Sequence, residues 1–233
     1  MNPAGMWTIL GSAWDIFLAR FVEIAGIVLL VWTPCELLDS YMDFFVFDSD
    51  DFKASFHFSR LLYDAVGGIA TAGLVQVALG HCSGSRVTVG QALIAGARAW
   101  PRLAWTVFLT DAYLAFSFLL LVVPFVYLLP RLLLVESVVI CENLSGVAAM
   151  ERCQTLARGR YWKFFGFTLL TIGIVGGWAF LTWTLAEYFS LPEHWLLNAA
   201  MNLMTDFIAA YETVLVFCLY RALSQPSGGT DVR

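Results

Sequence analysis

Six long apolar stretches, separated by short polar connections, constrain this chain more than any other feature of its sequence. They run over residues 16–38, 61–80, 103–123, 125–141, 164–186 and 195–220, and each is about as long as a helix that crosses a bilayer. Hydrophobic residues make up 60% of the 233 residues and charged residues only 13%, whereas soluble domains average about half and a quarter. The sequence therefore predicts an all-α polytopic bundle of six transmembrane helices. Residues 1–223 would form one membrane domain, and residues 224–233 a disordered cytoplasmic tail.

The charges of the connections predict how the spans are oriented. Lys and Arg concentrate in two alternate connections, which hold Arg86, Arg98 and Arg102, and then Arg152, Arg158, Arg160 and Lys163. The connection between the first two spans is rich in Asp, and the last one contains Glu but neither Lys nor Arg. Since basic connections stay in the cytoplasm, both termini are predicted to be cytoplasmic.

The two basic connections also carry the apolar spacing of interfacial amphipathic helices. In residues 145–158 the apolar stripe is Val147, Met150, Cys153 and Ala157. In residues 88–100 it is Val89, Ala92, Leu93, Ala97 and Trp100. Gly159 is expected to cap the second helix. In each connection, Arg and Trp precede the next span. This similarity indicates either an internal repeat or only the usual occurrence of Arg and Trp at a membrane boundary.

Ionisable residues within the spans are the candidates for a functional site, because such groups are costly in a bilayer. They are Asp64, Asp111, Arg131, Glu136, Asp206 and Glu212. Arg131 and Glu136 point to different faces of one helix, so Asp111 is the expected ion-pair partner of Arg131. Asp111, Arg131 and Glu136 thus form the candidate polar site. It could fix helix packing, or it could bind an ion, a proton or a lipid headgroup. In the first span, Arg20 and Glu23 are expected to pair on one helix face.

Several classes of function lack their signatures in this sequence. The five cysteines are scattered without a CxxC pair, and the three histidines are far apart without an HExxH motif, so no metal site is predicted. No nucleophile–base arrangement is recognisable, and we predict no catalytic residues and no cofactor. The net charge of −5 argues against nucleic acid as a partner.

The region around the fourth span carries a family pattern. Its positions are Pro124, Tyr127, Glu142, Arg152, Gly159 and Trp162. This pattern resembles the uncharacterised six-span bacterial membrane proteins of the YciC type, which are related to the membrane domain of some glycerophosphodiester phosphodiesterases. Phe125, Met150 and Cys153 stand where that family usually has Gly, Leu and Ser. The resemblance covers about residues 87–173 and implies a fold but no reaction.

These observations favour a non-enzymatic integral membrane protein of the bacterial cytoplasmic (inner) membrane. The first expectation is a scaffold, assembly or envelope-maintenance protein. The expected partners are membrane lipids, with another membrane protein or a second copy of the chain as alternative protein partners. The alternative is a small transporter or lipid-binding protein that uses the charged residues within the spans. The basic surface helices would face anionic headgroups in either case.

Overall fold

The computed structural model describes residues 5–47, 52–120, 122–188 and 194–224, and within these ranges it contains helices and short connections but no strand. In chain order the helices are α1 (Met6–Ala19), α2 (Phe21–Phe45), α3 (Phe52–Cys82), α4 (Val89–Leu120), α5 (Val122–Leu132), α6 (Val135–Glu142), α7 (Gly146–Ala157), α8 (Tyr161–Tyr188) and α9 (Trp195–Ser224). The predicted all-α bundle is confirmed. The Asp-rich residues 48–51 of the first connection and the predicted tail from residue 225 onward lie outside the described residues.

Six helical segments are long and apolar enough to cross a membrane, as predicted. They are Phe21–Phe45, Ser55–Cys82, Val89–Leu120, Pro124–Glu142, Tyr161–Thr182 and Trp195–Ser224. The chain is therefore a multi-pass membrane protein. The first span starts later than expected, because the helix breaks at Arg20 and leaves α1 as a separate short apolar helix. At that break Arg20 pairs with Glu23 at 3.2 Å, as predicted, and donates to the carbonyl oxygen of Ser85 at 3.1 Å.

The two predicted surface helices have different outcomes. The second is α7, whose Met150, Cys153 and Ala157 are buried, although Val147 is exposed. The first is not a separate helix, because residues 89–100 are the opening turns of α4, which continues through Pro101 to Leu120. Pro101 lacks the amide hydrogen for one helical hydrogen bond, but the helix continues past it because α4 packs along α3. The two units of the possible repeat therefore differ in structure.

Helices α3 and α9 occupy the centre of the bundle. α3 packs against α2, α4, α6 and α9, and α9 packs against α1, α2, α3, α6 and α8. Small residues bring α3 and α4 close together. Gly96 is the closest point: a Cβ added there would press on the carbonyl oxygen of Ile69 and lie 3.2 Å from the amide nitrogen of Gly73. Close approach through small residues is the usual means of packing helices in lipid.

The fourth span is broken into α5 and α6 by a turn at Leu133 and Leu134. Three residues before the turn, Pro130 lacks the amide hydrogen that would bond the carbonyl of Val126. The hydroxyl of Tyr161 donates to that carbonyl oxygen at 3.2 Å and so satisfies it from α8. After the turn, Glu136 lies in the first turn of α6 and faces the interior of the bundle.

Candidate functional site

Two cavities meet inside the bundle. The larger, about 680 Å³, lies between α3 and α4, has an aromatic wall that includes Trp32, and also contacts Glu136 of α6. The smaller, about 370 Å³, lies between α4, α6 and α9 and is lined by hydroxyl groups and Glu212. Asp111 and Glu136 line both cavities. The structure thus brings together two of the three residues that the sequence predicted as a polar site.

The outer part of the larger cavity carries one cation between two carboxylates. Nε of Arg60 lies 3.5 Å from Oδ2 of Asp64, and Nη2 of Arg60 lies 3.6 Å from Oδ2 of Asp111. All three side chains are about half exposed, so these ion pairs contribute little to stability. Arg60 can therefore release either carboxylate to a ligand at low energetic cost.

The predicted ion pair between Asp111 and Arg131 is wrong. Asp111 faces α3, where Arg60 provides a cation. Arg131 turns back along its own helix, places its guanidinium 3.8 Å from the ring centre of Tyr127, and donates a hydrogen bond to the Tyr127 hydroxyl. Its Nε is buried without a hydrogen bond, and Arg131 lines neither of the two cavities. Helices α4 and α5 are in contact, but their contact does not bring these two side chains together.

Glu136 has the most unusual environment of the predicted residues. Over the part of the chain that the structure describes, its carboxyl group makes no hydrogen bond and no ion pair. The charged groups that act on it are the carboxyls of Glu212 and Asp111. The protein itself offers no compensation for an ionised carboxylate at this position, so the charge must be met by water in the cavities, by a proton or by a bound cation.

A second group of acidic residues lies between α2, α3 and α9, and the sequence analysis missed its central member, Glu36. The Glu36 side chain is 1% exposed and accepts a hydrogen bond from the hydroxyl of Tyr63. Asp206 of α9 faces the same point. The available signal was an acidic residue inside the apolar stretch 16–38, which carries the same cost in a bilayer as the residues that were selected.

Two positions of the family pattern form an ion pair at one end of the bundle. Nε of Arg152 on α7 donates to both carboxylate oxygens of Glu142, at 2.8 and 3.0 Å, and the hydroxyl of Tyr220 on α9 donates to the same carboxylate at 3.1 Å. This hydrogen bonding raises the pKa of the Arg152 guanidinium. Burial, reinforced by the charge of Glu142, raises the pKa of the neighbouring Cys153 thiol to about 12. Because Glu142 binds both Arg152 of α7 and Tyr220 of α9, this ion pair attaches α7 to the bundle.

The remaining positions of the family pattern serve local structure. Pro124 lies in α5, and Tyr127 stacks on Tyr161 of α8 with ring centres 5.3 Å apart. Gly159 was predicted to cap α7, but the helix ends at Arg158 in an extended conformation, and Gly159, with a φ of 75°, lies in the turn that follows, which the amide of Arg160 closes by donating to the carbonyl oxygen of Ala157 at 3.0 Å. Trp162 is 79% exposed at the start of α8. None of these side chains lines the two cavities, so the pattern describes the scaffold around α5–α8 and not the polar site.

Comparison with known proteins gives no match to a family model, a curated protein or a solved structure. Among the described residues, no group of three or more His, Cys, Asp and Glu side chains is arranged to hold a metal ion. The function must therefore be argued from the cavities and their residues.

Proposed function

We propose that this multi-pass membrane protein binds a small organic cation in the cavity between α3 and α4, as a carrier or binding protein and not as an enzyme. The observation that carries the proposal is the Glu136 carboxyl, which lies between two cavities without a partner of opposite charge. A bound cation would supply the missing charge. This role corresponds to the transporter or binding alternative from the sequence.

The chemistry of the cavity wall defines the class of ligand. Its acidic groups are Asp64, Asp111 and Glu136, and its one basic group is Arg60, so the wall is negative when the carboxyls are ionised. The aromatic side chains of Trp32, Tyr63 and Phe108 line the same space. Aromatic faces and carboxylates together favour a cation with an apolar body. A volume of about 680 Å³ falls within the range of small-molecule sites.

The direct test is a titration with ethidium, a fluorescent organic cation, against the purified protein in lipid nanodiscs. We expect saturable binding, read as fluorescence anisotropy, and at least a tenfold loss of affinity in Glu136→Gln. Glu151→Gln is the matched control, because it makes the same change on the exposed face of α7, outside the two cavities. Equal affinity of the wild type and Glu136→Gln, or no saturable binding of ethidium, would refute the proposal.

The scaffold role is the second candidate, and the attachment of α7 supports it. The ion pair of Glu142 and Arg152 holds α7 on the bundle while Val147, Glu151 and Arg158 stay exposed. Such a fixed, exposed face suits contact with anionic lipids, another membrane protein or a second copy of the chain. Affinity purification in mild detergent, followed by mass spectrometry, separates the roles. A stoichiometric protein partner supports the scaffold, whereas a retained small molecule without a protein partner contradicts it.

We also propose a bacterial cytoplasmic membrane as the location, with both termini in the cytoplasm, and membership of the YciC type. The alternation of basic and acidic connections and the family pattern support these proposals. Labelling of single cysteines placed at Arg86 and at Asp50 in a cysteine-free chain tests the orientation. A membrane-impermeant reagent should label the second from outside the cell and not the first. The opposite pattern would reverse the topology.

A further inference from the structure

We propose that Glu36 and Asp206 together bind one proton at a buried site between α2, α3 and α9. The site is separate from the cation site around Glu136, and the proposal does not depend on what the cavity binds. It rests on the positions of the two carboxyls, on their unsatisfied oxygens and on the groups around them.

The two carboxyl groups each have an oxygen that the protein leaves without a hydrogen bond. Oε1 of Glu36 accepts from the Tyr63 hydroxyl, but Oε2 is buried and has no partner among the described residues. Oδ2 of Asp206 is also buried and has no hydrogen-bond partner among the described residues. The two side chains face each other closely enough to interact. Both groups are acceptors when ionised, so neither can satisfy the other without a proton.

The surrounding groups provide no positive charge. On α2 the neighbouring titratable groups are Cys35 and Asp39, and Asp39 already accepts a hydrogen bond from the Ser59 hydroxyl at 2.6 Å. α3 contributes the Tyr63 hydroxyl, and α9 contributes the Asn202 side-chain amide, which lies close to Glu36. No Lys, Arg or His in the described ranges pairs with either carboxyl. Two ionised carboxylates would therefore repel each other at membrane depth.

A single proton resolves both problems. Placed on Oε2 of Glu36 or on Oδ2 of Asp206, it makes one carboxyl a donor and leaves the other as its acceptor. The pair then carries one negative charge instead of two. Since Tyr63 donates to Oε1, the proton is directed to the other oxygen of Glu36 or to Asp206. A transition metal is a poor alternative, because the described residues contain no group of three or more His, Cys, Asp and Glu side chains that could hold one.

Tyr63 also gives the site a route to water. Its side chain lines the larger cavity together with Trp32, and the two rings lie 5.3 Å apart. Through the Tyr63 hydroxyl the Glu36 carboxyl is one hydrogen bond away from the cavity wall. Exchange along this route takes two steps: the Tyr63 hydroxyl passes its proton to Oε1 of Glu36 while it takes one from a water molecule in the cavity, and the carboxyl then turns so that the protonated oxygen faces Asp206.

Infrared spectroscopy tests the proposal, because a protonated carboxyl has a C=O stretching band that a carboxylate lacks. Spectra of the protein in nanodiscs at pH 7 are compared between the wild type and the Glu36→Gln/Asp206→Asn double variant. We expect the double variant to lose one such band, which shifts in D₂O. Asp43→Asn is the control and should leave the band intact, because Asp43 is an exposed carboxylate on the same helix that accepts from Ser55 at 2.7 Å.

Each other outcome overturns the proposal. A band that is unchanged in the double variant would show that both carboxyls are ionised or that the proton is elsewhere. No band in the wild type, together with thermal stabilisation by Na⁺ or K⁺ that the variants lack, would assign a monovalent cation instead. Should the double variant not fold, Glu36→Gln alone takes its place. Its amide keeps an acceptor for Tyr63 and offers a donor to Asp206, so the same loss is expected, and an unchanged band refutes the site.

Discussion

The close approach of α3 and α4 at Gly96 gives the sharpest prediction for stability. In Gly96→Ala the new methyl group would press on the carbonyl oxygen of Ile69 and on the amide of Gly73, which are backbone groups and cannot turn aside. The two helices must separate, and overpacking of this kind costs about 1–3 kcal/mol. The same substitution gains about 1 kcal/mol of helix propensity, so a net loss of roughly 0–2 kcal/mol is expected.

Gly173→Ala is the matched control. Gly173 lies inside α8, and a Cβ added there meets no atom within 4 Å. Both variants gain the same propensity, so the difference between their free energies of unfolding isolates the steric cost of about 1–3 kcal/mol. Reversible unfolding in mixed micelles of increasing SDS fraction, followed by circular dichroism, measures this difference. If Gly96→Ala were as stable as Gly173→Ala, the close packing of α3 on α4 described above would be incorrect.

Three further predictions concern α7 and α8. Arg152→Leu should lower the unfolding free energy by about 1–2 kcal/mol in the same assay, since it leaves the Glu142 carboxylate without its ion pair, whereas Arg158→Leu, at an exposed position, should have little effect. The Cys153 thiol, with its pKa at about 12, should resist maleimide at pH 8 until the protein is unfolded in SDS. Because the unfolded thiol ionises near its ordinary value of 9.0, this thiol should make the folded state progressively less stable between about pH 9 and 12. Tyr161→Phe should cost about 1 kcal/mol by leaving the Val126 carbonyl unpaired, and an unchanged unfolding curve would contradict that hydrogen bond.

The spans and one surface helix were predictable because the bilayer itself sets their length and polarity. The helix over residues 145–158 was predictable from its apolar stripe, of which Met150, Cys153 and Ala157 are buried, and the turn after it from Gly159. The ion pair of Arg20 with Glu23 was also accessible, since it depends on spacing within one turn. Each of these features depends either on residues within a few positions of each other in the chain or on the thickness and polarity of the bilayer.

The parts that sequence reasoning missed depend on which helices become neighbours. Asp111 pairs with Arg60 because α3 and α4 pack closely, and no local spacing connects these two residues. The break after Leu132 was hidden because Leu133 and Leu134 are as apolar as the helices on either side. Glu36 itself was recognisable as an acidic residue within an apolar stretch, but its grouping with Tyr63 and Asp206 was not, because these partners come from distant helices.

The contacts of α1 and α2 with α9 have a consequence for biosynthesis. Trp14 and Phe17 of α1 pack on the ring of Tyr211, at 5.8 and 5.7 Å between ring centres. Ser40 of α2 accepts a hydrogen bond from Asn198 across a sequence separation of 158 residues. At translation rates of 5–20 residues per second, roughly 8–30 s pass between the synthesis of these two partners. During that interval the polar side of α2 has no α9 to cover it, so the nascent protein depends on the insertion machinery or on lipid headgroups to shield its first helices until the last one arrives.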